Sequence, residues 1–400
     1  MAAEAIDKVG DEREEVRQLM RVVVTTQPAL GHLHPLVPLA RAMADAGHDV
    51  LLVSSASFQP QLERTGLPTA SAGLDWLESE ATAAFPALHT VVGDDGKRFF
   101  LDEIFCGTAE HMAEDLIGLA SGWRPDVIVR EIWEFGGAVA AAILGVPCVV
   151  HGIGRWLNVE EVVDAGAARL RSLWSRSGFT GDDLNWVDGD LYLDVCPPSL
   201  DLPTRRPRPP HTRSLRPVPF DDTSTPGPSP PARRRGRPLI HVSLGTVSSR
   251  VDVLNAILRD LRDLDADVVA TTGNCDPVRV EPQPPSITVT AYVPLTRLLP
   301  SCDLVICHGG WGTVIAAAAH GVPVVCVPAG ADRPANAHAC ETAGMGLTIR
   351  PDHLRPGRVR AAATAILDGG THRAGARQVR AEVDRMPSPQ EIVQAVEDLV

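Results

Sequence analysis

From Met20 onward the chain alternates two hydrophobic periods. RVVVTT (21–26) is an apolar run of strand length, PLVPLARAMADAG (35–47) spaces its apolar residues as one helical face, and DVLLVS (49–54) returns to strand character. Pro35 and Pro38 fall near the expected first turn of that helix, where a missing N–H is tolerated. DVIVR (126–130), the small-residue helix GGAVAAAILG (136–145) and PCVVHG (147–152) continue the alternation. Strands alternating with helices imply parallel sheets covered on both faces, a doubly wound α/β layer. Between about 196 and 238 the pattern breaks into a segment too rich in proline for a core element. It then restarts with PLIHVSLGT (238–246), a helix over VDVLNAILRDLRDL (251–264), DVVATTG, SITVTAYV, DLVIC (303–307), a further helix and VPVVCVP (322–328). Two similar α/β domains, 20–200 and 238–385, are expected on either side of a proline-rich linker, 201–237.

Composition narrows the partners. Four hundred residues exceed what one hydrophobic core usually supports, which agrees with two domains. With 44% hydrophobic and 22% charged residues the chain reads as globular. No apolar run approaches the roughly 18 to 20 residues that cross a bilayer, and no charged start precedes a small-residue cleavage site, so a cytoplasmic protein with no membrane partner is expected. The formal net charge of −13 argues against a nucleic-acid partner, which calls for a basic face. Eight cysteines without a CxxC pair, most in apolar stretches, read as reduced core residues. Residues 1–19 are polar and charged; they are expected to be an extension or an upstream start before Met20, with a short docked helix as the rival.

Ligands of doubly wound sheets bind outside the carboxyl ends of the strands. Three such ends depart from what packing alone would choose: TQPALGHLHP after the first strand, SLGTVSS after the first strand of the second half, and HGGWGT (308–313) after DLVIC. A helix start presents unpaired N–H groups and a partial positive charge, which suits phosphate. Gly309, Gly310 and Gly312 would let the backbone approach an anion, while Thr313 and His308 can donate hydrogen bonds. The alternative is a tight turn without a ligand. The segment is neither a GxGxxG fingerprint nor a Walker loop.

YVPLTRLLPSCDLVICHGGWGTVIAAAAHGVPVVCVPAGADRPANAHACETAGMGL (292–347) closely resembles the nucleotide-sugar signature of the UDP-glycosyltransferase-like superfamily, particularly the actinomycete enzymes that decorate antibiotics and other natural products. GHLHPLVPLARAMADAGHDVLLV, RPDVIVREIWEFGGAVAAAILGVP, RPVPFD and LIHVSLGTV match the same family in order and spacing, so the resemblance covers essentially all of 20–400. It implies a GT-B fold: two Rossmann-like, doubly wound domains facing across a cleft, donor bound mainly by the carboxy-terminal one and acceptor by the amino-terminal one. The last helix, 386–400, would cross back to the amino-terminal domain. Carried over by position, His308, Gly309, Gly310, Gly312 and Thr313 hold the diphosphate with help from Ser243 and Thr246, and Val293 offers main-chain groups to the base. Asp332 occupies the place of the family's sugar-contacting acid, but Arg333 replaces the usual glutamine. Arginine cannot accept a hydrogen bond, so sugar preference does not transfer; a structural pairing with Asp332 or a neighbouring acid is favoured over binding a donor anion.

His32 of ALGH stands where the family has its general base, and Glu131, ending DVIVRE, occupies the usual acidic position that fixes the histidine tautomer, with Glu134 in reserve. The implied enzyme is an inverting hexosyltransferase without cofactor or metal, taking a TDP- or UDP-sugar and a hydroxyl of a small hydrophobic aglycone, as a monomer or homodimer. A sugar-nucleotide epimerase or hydrolase, and a non-catalytic GT-B-like activator of a second transferase, are the alternatives. His32 and His34 form an HxH pair without a third ligand, and the DxD triplets at Asp188 and Asp190, and among Asp263, Asp265 and Asp267, read as chance in an acidic chain. Trp311 is expected at the base of the cradle. Trp156 and Trp174 are expected in the core or lining an acceptor pocket, and 4% aromatic residues suggest no extended stacking platform.

Overall fold

The computed structural model describes residues 19–91, 93–156, 158–180, 185–204, 207–221, 236–245 and 250–400. The expected extension up to residue 18, much of the linker and Thr246 lie outside them. The apolar runs form thirteen described strands: β1 (Arg21–Thr25), β2 (Asp49–Ser54), β3 (Thr69–Ser71), β4 (Val127–Glu131), β5 (Cys148–His151), β6 (Leu191–Asp194) and β7 (Thr212–Ser214), then β8 (Leu239–Ser243), β9 (Asp267–Thr271), β10 (Ile287–Thr290), β11 (Leu304–Cys307), β12 (Val324–Cys326) and β13 (Gly346–Thr348). They build two sheets, ordered β3-β2-β1-β4-β5-β6-β7 and β10-β9-β8-β11-β12-β13. The ladders that meet at β1 and at β8 are parallel on both sides.

The packing helices along the chain include α1 (Leu30–Asp45), α2 (Ala109–Trp123), α3 (Gly136–Leu144), α4 (Asn158–Arg176), α5 (Val251–Leu261), α6 (Trp311–Ala319), α7 (Arg333–Thr342), α8 (Arg358–Asp368), α9 (Thr371–Arg385) and α10 (Pro389–Glu397). In β1 and β4, Val23 and Ile128 enter a core shared with α2 and α3, while Val22, Val24, Val127 and Val129 enter one shared with α1 and α10. The second sheet divides likewise: Val305 and Cys307 face α6, α7 and α9, whereas Leu304 and Ile306 face α5 and α8. Burial on both faces is why these strands read as unbroken apolar runs instead of alternating ones.

Three local differences from the sequence reading have physical causes. Helix α1 starts at Leu30, so Pro35 and Pro38 lie in its interior and forgo the bonds to the Gly31 and His34 carbonyls. The stretch read as linker contributes β7, an outer strand that among the described residues pairs only to β6, the position where flanking prolines are tolerated. Cys196 and Leu200, just beyond β6, pack into the core of the second domain, and Ser199 is held by Glu382 of α9 through two hydrogen bonds of 2.8 and 2.5 Å.

Helix α10 begins at a capping box formed by Ser388 and Glu391 and buries Ile392, Val393 and Val396 against α1 of the first domain. His48 fastens it: its Nδ1 accepts the Met20 N–H at 3.2 Å, so Nε2 carries the proton and donates to Glu397 Oε1 at 2.8 Å.

In both sheets the connections diverge between the first and fourth strands in chain order, β1 beside β4 and β8 beside β11. Loops leaving the carboxyl ends there run to opposite faces and leave a crevice. The three segments singled out in the sequence leave from β1, β8 and β11, and Glu131 ends β4.

Candidate active site

His32 lies in the first turn of α1, and Glu131 is the last residue of β4, wholly buried. Their side chains meet at 2.9 Å, His32 Nδ1 to Glu131 Oε1. A carboxylate only accepts, so the proton sits on Nδ1 and the Nε2 lone pair is left free. Glu131 Oε2 accepts the Trp133 N–H at 2.7 Å, which fixes the carboxylate in turn. Burial opposes a charge on His32, but Glu131, with Glu78 and Asp332 beyond it, raises the imidazole above its ordinary value.

Glu134 does not join this pair. It accepts the Thr25 hydroxyl at 2.6 Å and the N–H groups of Gly136 and Gly137 at 2.6 and 2.9 Å, capping α3. Burial raises its carboxyl despite those bonds. Arg130, buried in β4, donates to the carbonyls of Glu131, Ile132 and Glu134 at 3.2, 3.1 and 3.0 Å and so holds the turn that carries Glu131.

The facing lip belongs to the second domain. His308 follows β11 and lies between two glycines: a Cβ on Gly245 would sit 2.8 Å from its Nε2, and one on Gly310 2.5 Å. Burial and the adjacent Arg333 charge push the ring down to about 4, so it stays neutral and keeps one N–H to donate. Gly309 adopts φ +81°, and a side chain there would meet the Arg333 carbonyl at 2.9 Å. Gly310 is the N-cap of α6, with no side-chain cap and no acid in the first turn, so the leading N–H groups are open to a ligand. Gly312 and Thr313 line the cleft, and a Cβ on Gly312 would meet no atom of the described residues within 4 Å. The glycines therefore serve separate ends: Gly309 the backbone turn, Gly310 and Gly245 the histidine, Gly312 the open face. Ser243 lines the same cleft; Thr246 lies outside the described residues.

Val293 is buried at the cleft edge beside Tyr292, whose hydroxyl donates to Asp221 at 3.2 Å. Asp332 follows Gly330 (φ +74°) and Ala331 (φ +50°), a left-handed pair that turns the chain from β12 into α7. Its Oδ2 accepts Asn336 Nδ2 at 2.8 Å. Arg333 donates to the Ala329 carbonyl at 2.9 Å, and among the described residues it forms no ion pair with Asp332. Its charge stands beside the cradle instead.

The lips enclose a cleft of about 1310 Å³ that includes His32, Ser243, His308, Thr313, Asp332 and Arg333 in its lining. Next to His32, Phe105 stacks on Trp133 with ring centroids 5.7 Å apart, and Phe100 meets Phe105 edge-on at 5.2 Å. Low average aromatic content concealed this local concentration at the cleft wall. Trp156 is core, packed on Tyr192, and Trp174 stacks on Phe179 and Trp186. Trp311 is buried under the cradle. His34 lies edge-on to Phe220, and no three His, Cys, Asp or Glu side chains converge as a metal site among the described residues. Asp190 holds the Cys148 N–H at 2.8 Å, while Asp263 and Asp265 pair with Arg360 and Arg237. The described cysteines are free thiols, nearly all buried. No described helix is long and apolar enough to cross a membrane.

Two Rossmann-like domains facing across such a cleft are the GT-B architecture, and the class is that of the glycosyltransferases built on it. Residues 41–226 and 255–399 match the N-terminal and C-terminal domains of the erythromycin biosynthesis protein CIII-like family. The chain belongs to that family. The 10-deoxymethynolide desosaminyltransferase of Streptomyces venezuelae is 30% identical, over 95% of this chain and 97% of that protein. The TDP-daunosamine transferase DnrS of Streptomyces peucetius is also 30% identical, with the same coverage. Among solved structures, the glycosyltransferase SsfS6 of Streptomyces sp. SF2575 complexed with thymidine diphosphate is 28% identical, with a TM-score of 0.75 over 95% of this chain and 99% of that one.

Proposed function

We propose that the chain is an inverting, metal-independent glycosyltransferase that moves a sugar or deoxysugar from a TDP- or UDP-sugar to a hydroxyl of a small hydrophobic natural-product aglycone. It works in the cytoplasm as a monomer or homodimer. One observation carries the reading: His32, held by Glu131 in one domain, and His308, Gly310, Gly312 and Thr313 of the other line a single cleft, with Asp332 close enough to raise the His32 pKa. The apolar wall of Phe100, Phe105 and Trp133 beside His32 suits a hydrophobic acceptor. The related TDP-daunosamine transferase and the TDP-bound SsfS6 support a thymidine nucleotide as donor.

In this mechanism His32 Nε2 takes the acceptor proton as the acceptor oxygen bonds to the anomeric carbon. The bond from that carbon to the diphosphate breaks on the opposite face, which inverts the centre. Glu131 stabilises the imidazolium, and the electron pair leaves on the diphosphate, where the α6 start, His308 and the Arg333 charge receive it. Those groups can supply the stabilisation that a cation supplies elsewhere. The test is turnover by the purified chain alone with TDP- and UDP-sugars and an aglycone panel, with and without EDTA, followed by NMR of the product anomer. Requirement for a second protein would favour the activator reading. Loss in EDTA restored by Mg²⁺ would remove metal independence, and a retained anomeric configuration would remove inversion.

A further inference from the structure

The acceptor-side domain carries a buried cation that the mechanism above leaves unused. Arg155 follows β5, is 3% exposed and lines the cleft. Its Nε donates to Asn336 Oδ1 at 3.3 Å, whereas Nη1 and Nη2 are buried without a hydrogen-bond partner in the described structure. A guanidinium stays charged at any working pH, and although Asp332 and Asp201 stand near enough to favour that charge, buried donors without hydrogen bonds are costly. Such an arrangement makes sense where a ligand completes the bonds.

The surroundings identify the ligand. Asn336, 1% exposed, joins three groups: Oδ1 accepts from Arg155, and Nδ2 donates to the Gly309 carbonyl at 3.1 Å and to Asp332 Oδ2 at 2.8 Å. The neighbouring Gly154 comes so close to the first residue of α6 that a Cβ there would lie 3.9 Å from Trp311 Cγ. Arg155 thus stands where the phosphate cradle meets the acid that faces the sugar. Planar paired donors at that junction match phosphate oxygens.

We propose that Arg155 is a donor-binding residue supplied by the acceptor-side domain, and that its two Nη groups take the sugar-side phosphate of the nucleoside diphosphate. The assignment rests on the donor reading above. Tight donor binding then needs both domains, because the cradle alone reaches the diphosphate from one side only.

Calorimetric titration of the full chain with TDP or UDP, whichever the wild type binds, and with the corresponding monophosphate tests this. Arg155→Met should weaken the diphosphate at least tenfold and leave the monophosphate within about twofold, the loss expected for a charge-assisted bond to one phosphate. Arg155→Lys, which keeps the charge without the fork, should fall between the two. Equal weakening of both nucleotides, or of neither, would overturn the assignment while the donor reading stands. Failure of the wild type to bind either diphosphate would instead remove the donor reading and this inference with it.

Discussion

In the proposed mechanism the proton leaves the acceptor at His32, and its surroundings set the pH at which it can do so. Only the neutral imidazole is a base, and Glu131 raises its pKa above the ordinary value. The rate on an unactivated hydroxyl should therefore rise with pH through a point above about 6.5. Glu131→Gln removes the main raising influence and leaves burial, which lowers the pKa. We expect a slower enzyme whose acid limb has moved to lower pH; a limb that stayed or moved upward would contradict the pairing. Stability runs the other way. Because the folded pKa is raised, the His32–Glu131 contribution is fully present below about pH 6.5 and is lost as pH climbs through the folded value. Glu134→Gln should instead lower the melting temperature, through weakened bonds to Thr25, Gly136 and Gly137, and leave the acid limb in place. Glu131 was legible because it closes an apolar run at a strand end; His32, one histidine in the segment after β1, was legible only through the family resemblance. Arg130, Asn336 and Arg155 were not, since a buried polar residue within a core-facing segment looks like any surface residue until its partners are known.

At the level of elements, the start of α6 is the proposed anion site, and its glycines separate packing from binding. Gly310→Ala would force a Cβ to 2.5 Å from His308 Nε2, displacing the ring, so we expect diphosphate affinity to fall more than tenfold in calorimetry. Gly312→Ala meets no atom of the described residues and adds a better helix former, which should leave the melting temperature unchanged or slightly higher. Any loss of diphosphate affinity in that variant then reports ligand approach alone. The sequence carried the strands clearly, because doubly buried parallel strands give continuous apolar runs; the glycines after β11 alone left a tight turn open, and reading them as a phosphate cradle rested on the family resemblance. It misplaced the start of α1, where Pro35 and Pro38 suggested a first turn that lies at Leu30. That shift matters, because it brings His32 into the helix and aims it at Glu131.

At the scale of the whole molecule, α10 and the segment around Ser199 tie each domain to the other, so the lips of the cleft are held by packing remote from it. Ile392→Ala should destabilise by about 2 to 5 kcal/mol, seen as a lower melting temperature, without changing diphosphate affinity at 25 °C. The division of labour between the domains is the central claim, and one paired measurement addresses it: calorimetry of the nucleoside diphosphate and turnover on an aliphatic alcohol acceptor, for His32→Ala and His308→Ala side by side. His32→Ala should bind the nucleotide as the wild type does while turning over about 10²- to 10⁴-fold more slowly. His308→Ala should lose about 10- to 100-fold in nucleotide affinity, the loss of one hydrogen bond to a charged group. Near-wild-type turnover by His32→Ala, or unchanged affinity in His308→Ala, would contradict the account.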